Sequence, residues 1–376
     1  MLSPVPDGVT VVASYEKAER LKERKKPEPL LILEPLQEYL DEHGFGEGQL
    51  LWGRLGLQST SGTFLLQRDE GFEVVLKRRL VGPEPAEVMD LSSEVELLQV
   101  LRGHGLHSPE ILHQCVDPSI IGAPFYLSAV LPGEAAVKTV PKGLDTVEEK
   151  VGMSRRAIDD LARIQVEVTA DEVARFDRGS GDLRKIVLET KRMARQLKMR
   201  RIPGFEILGD FLLENSPEPR PPVICHGRYA MQNLLFAPHA PATITGIFGW
   251  ERATAGDPLM DLGYFTATYA ANDLPETPLD TAVVTREEDG FLSRNELSNV
   301  FRIATHLDTN DLPWFQTLSL WKEAVRLEEM YERLMNKESV PNKAFALSLR
   351  DGVPQILANA AHFSKVEGVE AMAHQR

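Results

Sequence analysis

Two stretches hold the residues best placed to do chemistry. Val223-Ile-Cys-His-Gly-Arg-Tyr-Ala-Met-Gln-Asn-Leu-Leu-Phe236 sets His226, Arg228 and Asn233 in a polar loop between apolar runs. Ile244-Thr-Gly-Ile-Phe-Gly-Trp-Glu251 follows, and then Gly256-Asp-Pro-Leu-Met-Asp261. Arg228 cannot accept a proton, because guanidinium stays charged, but it can pair with a phosphate through two parallel hydrogen bonds. Gly249 offers no ligand atom in its side chain. Glu251, Asp257 and Asp261 are the nearest carboxylates in sequence.

The pattern around these residues predicts the elements that position them. Val223 to Cys225 reads as a buried strand entering the loop, and Asn233 to Phe236 as a short strand leaving it. Ala242 to Phe248 reads as a second strand, and Gly256-Asp-Pro opens a helix. A histidine and an asparagine in one loop occur in many folds, but this order of elements and motifs is far more specific. It resembles the aminoglycoside phosphotransferase and choline kinase family, which has His-Gly-Asp-x-x-x-x-Asn in the first stretch and Asp-Trp-Glu after an apolar pair in the second. Arg228 stands where the first aspartate would be, and Gly249 where the second would be.

The resemblance implies what those positions do. Phosphoryl transfer needs an in-line nucleophile, a carboxylate to take or orient its proton, and metal ions on the phosphates. In the family the loop aspartate is the base. The aspartate before tryptophan holds the metal, helped by the asparagine, here Asn233. With Arg228 and Gly249 in these places, the base and the main metal ligand are both missing. Arg228 puts a positive charge where metal and substrate hydroxyl should meet, so it either repels Mg²⁺ or substitutes for its charge on a phosphate. ATP is the nucleotide the resemblance implies, and Mg²⁺ loses its side-chain aspartate.

The first part of the chain carries the rest of the resemblance. Leu55 to Leu66 reads as strand, small polar turn and strand, and Phe72 to Arg78 as the next strand. The turn, with Gly56, Ser59, Ser61 and Gly62, resembles a degenerate phosphate loop, although a plain hairpin turn fits these residues equally well. Lys77 stands where the family places its phosphate-binding lysine. Glu87 to Arg102 is helical by the spacing of Leu91, Val95, Leu98 and Leu101. It carries Glu94, the implied partner of Lys77, with Glu96 as the fallback. Leu127 to Gly133 corresponds to the hinge strand, whose backbone, around Ser128 and Val130, would bind an adenine base.

The fold expected is α+β: a protein-kinase-like two-lobe fold, with an antiparallel sheet and helix first and a larger, mainly helical lobe after. Residues 1–30 read as an N-terminal extension, 31–131 as the first lobe and 132–376 as the second. Further helices are expected over Leu31 to His43, Thr146 to Thr169, Asp182 to Met199, Ser293 to Thr305 and Trp314 to Met335. The basic run at Lys185, Lys191, Arg192, Arg195, Lys198, Arg200 and Arg201 reads as a solvated helix face or an attractor of anions. Leu320 to Tyr331 matches a late helix in the branch of the family also found fused to acyl-CoA dehydrogenases.

Composition sets bounds on partners. The 376 residues are 43% hydrophobic and 26% charged, ordinary values for a globular chain long enough for two or three modules. A net charge of −14 disfavours nucleic acid or an anionic membrane as a general partner. Cys115 and Cys225 lie far apart in apolar contexts, which suits reduced core thiols and a cytoplasmic location. No apolar run reaches transmembrane length, and no signal-peptide pattern opens the sequence. The function expected is a pseudokinase: a binding or regulatory scaffold for a nucleotide, a small molecule or a protein partner. The alternative is an active ATP-dependent phosphotransferase on a small hydroxylated substrate, using non-standard residues.

Overall fold

The computed structural model describes residues 11–23, 29–55, 61–79, 88–137, 139–179, 181–269, 274–282, 285, 289–336 and 343–369. Its chain divides into two compact units, residues 1–102 with 109–131, and residues 103–108 with 132–376. Each has its own core.

In the first unit, β1 (Val11–Val12) pairs in parallel with β2 (Leu31–Ile32), and α1 (Tyr15–Glu23) lies between them in sequence. The Tyr15 hydroxyl donates to the Ile120 carbonyl at 2.9 Å, so the N-terminal stretch is tied to the body of the unit. Helix α2 (Leu33–Glu42) buries Leu36 and Leu40, one apolar stripe at a spacing of one turn. Then come β3 (Leu51–Arg54), β4 (Ser61–Gln67), β5 (Glu73–Arg79), α3 (Leu91–Gly103), β6 (Ile111–Cys115) and β7 (Phe125–Ser128). The five strands form one antiparallel sheet in the order β3-β4-β5-β7-β6.

Alternation along β5 decides which side chains reach the site. Val74, Leu76 and Arg78 face one way, Val75, Lys77 and Arg79 the other. Val74 and Leu76 join Phe64, Leu66, Phe125, Leu127, Leu36 and Leu40 in the core. Lys77 lies opposite Tyr126 on β7, so the two share the second face. Helix α3 starts at Leu91 rather than Glu87, because the Asp90 carboxylate accepts from the Ser93 amide at 2.9 Å and caps the first turn there. The proposed phosphate turn falls largely outside the described residues: Gly56 and Ser59 lie there, as does the Ser61 side chain. Gly62 opens β4, paired with Arg78.

The second unit is mainly helical. Its elements are β8 (Glu134–Ala135), α4 (Val147–Glu167), α5 (Ala170–Arg175), α6 (Leu183–Gln196), α7 (Gly204–Glu214), β9 (Val223–Cys225), β10 (Leu234–Phe236), β11 (Ile244–Ile247), β12 (Thr254–Gly256), α8 (Leu259–Ala267), α9 (Arg294–Thr305), α10 (Leu312–Met335) and α11 (Lys343–Ser364). Strands β11-β10-β8 form one small sheet and β12-β9 another, both antiparallel. Helix α10 packs against α8 and α11 and buries Phe315, Trp321 and Leu327. The Trp321 indole donates to the Phe205 carbonyl at 3.0 Å, so this large side chain enters the core without a stranded donor. Thr146, Asp182 and Ser293 each cap the helix that follows, at α4, α6 and α9. The basic run is mostly solvent-exposed, at Lys185, Arg192, Arg195, Lys198 and Arg201; Lys191 alone is buried, pairing with Glu206 at 3.2 Å and with Asp210, while exposed Arg195 meets Glu206 at 2.8 Å. Arg200 pairs with Glu328 at 2.6 Å.

Candidate functional site

The loop after β9 is held by groups that act on its backbone. The buried Asp261 carboxylate, on the first turn of α8, accepts from the His226 amide and, at 2.9 Å, from the Gly227 amide. Gly227 has φ +82°, and a β-carbon there would stand 2.5 Å from the Arg252 carbonyl oxygen, so the turn requires glycine. His226 is fully buried. Its Nε2 lies 3.0 Å from the Phe248 carbonyl oxygen and its Nδ1 3.3 Å from the Arg228 amide. These partners select the neutral tautomer with the proton on Nε2, and the ring braces the loop against β11. Its face lies 4.6 Å from the Trp250 ring. Asn233 donates from Nδ2 to the Arg228 carbonyl at 2.9 Å, leaving its side-chain oxygen as the acceptor.

Burial pushes the Asp261 carboxyl up to about 6, against the backbone amides of His226, Gly227 and Tyr229, which favour the charged form. Asp257 serves a different purpose: Arg220 reaches it at 3.2 Å and the Leu259 amide at 2.9 Å, at the start of α8. Both aspartates of the Gly-Asp-Pro segment are therefore engaged in holding structure.

Arg228 leaves the loop toward α8 and α10. Its Nε donates to the Tyr264 hydroxyl at 3.2 Å, and its Nη2 lies 3.4 Å from Glu323 Oε1. Burial alone would push the Glu323 carboxyl up, but Arg326, Arg228 and Arg252 outweigh it and hold the group well below the usual carboxylate range. The guanidinium of Arg228 is held all the more firmly protonated, by Tyr264 first and then, against desolvation, by Glu323 and Glu251. A proton acceptor at this position is chemically ruled out. Gly249 has φ +92° and ψ 31°. A β-carbon there would meet Asn233 Nδ2 at 3.5 Å and His226 Cε1 at 3.6 Å, ordinary contact distances. Beside this point Asn233 has one amide oxygen to offer a metal, and Gly249 has no side-chain ligand. That donor set does not fit Mg²⁺, which is bound through carboxylates and phosphates.

In the first unit, Lys77 Nζ lies 2.6 Å from Glu94 Oε1, and Arg79 Nη2 lies 2.9 Å from Glu94 Oε2. The Tyr126 hydroxyl donates to Glu94 Oε1 at 3.1 Å. Glu94 is fully buried, as its three donors permit. Ser128 is buried in β7, and Val130 beyond it is exposed. Sequence reasoning overlooked Arg79 and Tyr126, although both could have been found: Arg79 is two residues from Lys77 on the same face, and Tyr126 is its cross-strand neighbour. Tyr264, Glu323 and Arg326 left no local signal, since their role depends on how α8 and α10 pack.

A two-part kinase-like phosphotransferase architecture is what these elements define. The chain belongs to the phosphotransferase enzyme family, whose model matches residues 54–297. It is 24% identical over 324 residues to human acyl-CoA dehydrogenase family member 11, covering 83% of this chain and 41% of that protein. The chain thus spans well under half the length of that curated relative. A crystal structure provisionally described as an aminoglycoside phosphotransferase, from Ralstonia eutropha JMP134, superposes with a TM-score of 0.71 at 18% identity, covering 90% of this chain and all of that one. A spectinomycin phosphotransferase in complex with ADP and spectinomycin superposes with a TM-score of 0.53 at 11% identity, covering 88% and 98%.

Proposed function

We propose that this protein is a nucleotide-binding pseudokinase of the phosphotransferase enzyme family, acting as a binding or regulatory scaffold. One observation carries the reading. The backbone of the loop is fully braced by Asp261, His226 and Asn233, yet the side chains at the two chemical positions are a guanidinium turned onto Glu323 and a glycine. The buried Lys77–Glu94 pair supports binding of a nucleotide anion, and the spectinomycin phosphotransferase of similar fold is in complex with ADP. A bound nucleotide would supply a transferable phosphoryl group, and Lys77 would orient it. Arg228, permanently protonated, cannot take a proton from a hydroxyl.

The active-enzyme alternative needs a carboxylate to replace the missing ones. Asp257 and Asp261 are already committed to Arg220 and to the loop amides, and Glu251, nearest in sequence to Gly249, acts on the Arg228 charge. The deciding experiment is thermal-shift titration with ATP and ADP, with and without Mg²⁺, alongside an ADP-release assay. Binding raises the melting point by linkage. The pseudokinase reading expects nucleotide-dependent stabilisation and no turnover. Metal-dependent ADP release abolished by Lys77→Ala would overturn it.

A further inference from the structure

The charges around Arg228 do not balance. Glu323 is 6% exposed, and Arg326 occupies both of its oxygens, with Nε 3.0 Å from Oε2 and Nη2 on Oε1. Arg228 reaches only the oxygen already shared, at the long distance of 3.4 Å. Two permanent cations therefore share one carboxylate. Glu251 also acts on Arg228 and Arg252 on Glu323, one further charge of each sign, so among these groups the cations outnumber the carboxylates by one. The side chains of Arg228 and Arg326 are 27% and 25% exposed, so the surplus is accessible from solvent. The Tyr264 hydroxyl accepts from Arg228 Nε, which leaves its own hydrogen to donate.

We infer that Arg228, Arg326 and the Tyr264 hydroxyl form an oxyanion-accepting site in the second unit, which takes the carboxylate or phosphate of a small ligand. Guanidinium forks match such groups bidentately, and a partly dehydrated pair already oriented by Glu323 gives up little side-chain freedom on binding. Glu323 holds the two cations together and also competes with the incoming anion. This extends the pseudokinase reading by giving the Arg228 position a ligand, but the site stands on residues other than the Lys77 pair.

The test is titration calorimetry in low-chloride buffer with inorganic phosphate and with acetate as probes. Arg228→Gln and Arg326→Gln should each weaken binding about tenfold. Glu323→Gln should tighten it about fivefold, a gain that general damage to the fold does not produce. ADP and adenosine then separate the sources. A matching loss of ADP affinity in Arg228→Gln, with adenosine unaffected, identifies the anion as a nucleotide phosphate. Unchanged ADP affinity, with phosphate still binding in its presence, identifies a second, acidic ligand. Anion affinity indifferent to Arg228→Gln, or weakened by Glu323→Gln, would overturn the site. Failure of ADP to bind the unmodified protein would overturn the nucleotide reading alone, because the phosphate and acetate titrations do not depend on it.

Discussion

Gly249 shows how little separates this site from a metal-binding one. Its backbone is left-handed, a conformation that aspartate and asparagine tolerate better than most residues, and a side chain there would pass Asn233 and His226 at normal distances. Arg228→Asp with Gly249→Asp should therefore fold, at a cost of roughly 1–2 kcal/mol for the strained position. It should also make ADP-induced thermal stabilisation depend on Mg²⁺. Unaltered Mg²⁺ dependence would locate the deficit elsewhere, in the Lys77 cluster first. That cluster supports an asymmetric prediction. Lys77→Ala leaves Glu94 still bonded to Arg79 and Tyr126, so urea unfolding should show a modest loss, on the order of 1–2 kcal/mol. Glu94→Ala removes the carboxylate that two buried cations share and should cost about 3–5 kcal/mol. Equal losses would mean that Arg79 does not hold Glu94.

Among the elements, the first turn of α8 has the most to do, because Asp261 ties two loop amides to it. Asp261→Ala would orphan both amides and should cost about 3 kcal/mol. The folded pKa of about 6 lies above the ordinary 3.8, so the folded state binds this proton more readily between those values. The Asp261 contribution to stability therefore falls as pH rises through that window and is constant above it, a change of about 3 kcal/mol in all. Asp261→Asn should remove this component from a plot of unfolding free energy against pH, and an unchanged slope would contradict the assignment. Much at this scale was legible beforehand. Apolar spacing marked β9, β10, β11, α4 and α10 to within a few residues, since each buries a stripe or face. Helices α7 and α11 were not foreseen, and α11 has Pro354 in its interior, which reads as a helix break in isolation. The residues around Glu323 were illegible for a different reason: they meet only through tertiary packing.

Across the whole molecule, the N-terminal stretch is part of the first unit's structure. Val11 and Val12 pair with β2, and the Glu34 amide donates to the Ala13 carbonyl at 2.8 Å. Deleting residues 1–14 should lower stability by about 1–2 kcal/mol and bring down the melting point. An unchanged melting point would mean that these contacts add nothing in solution. Lys77, Glu94, His226 and Asn233 stood out in the sequence by their place in a motif, and the partners of His226 and Asn233 emerged only with the folded chain. The bracing of the loop has one more consequence, and it concerns inheritance. The bonds from Asp261, His226 and Asn233 all end on backbone groups, and none involves the side chain of residue 228 or 249. The loop backbone is therefore held in place independently of the side chains at those two positions. The shape of the loop and the identity of the side chains it carries are thus two separate inheritances, and either could change while the backbone bracing stayed as it is.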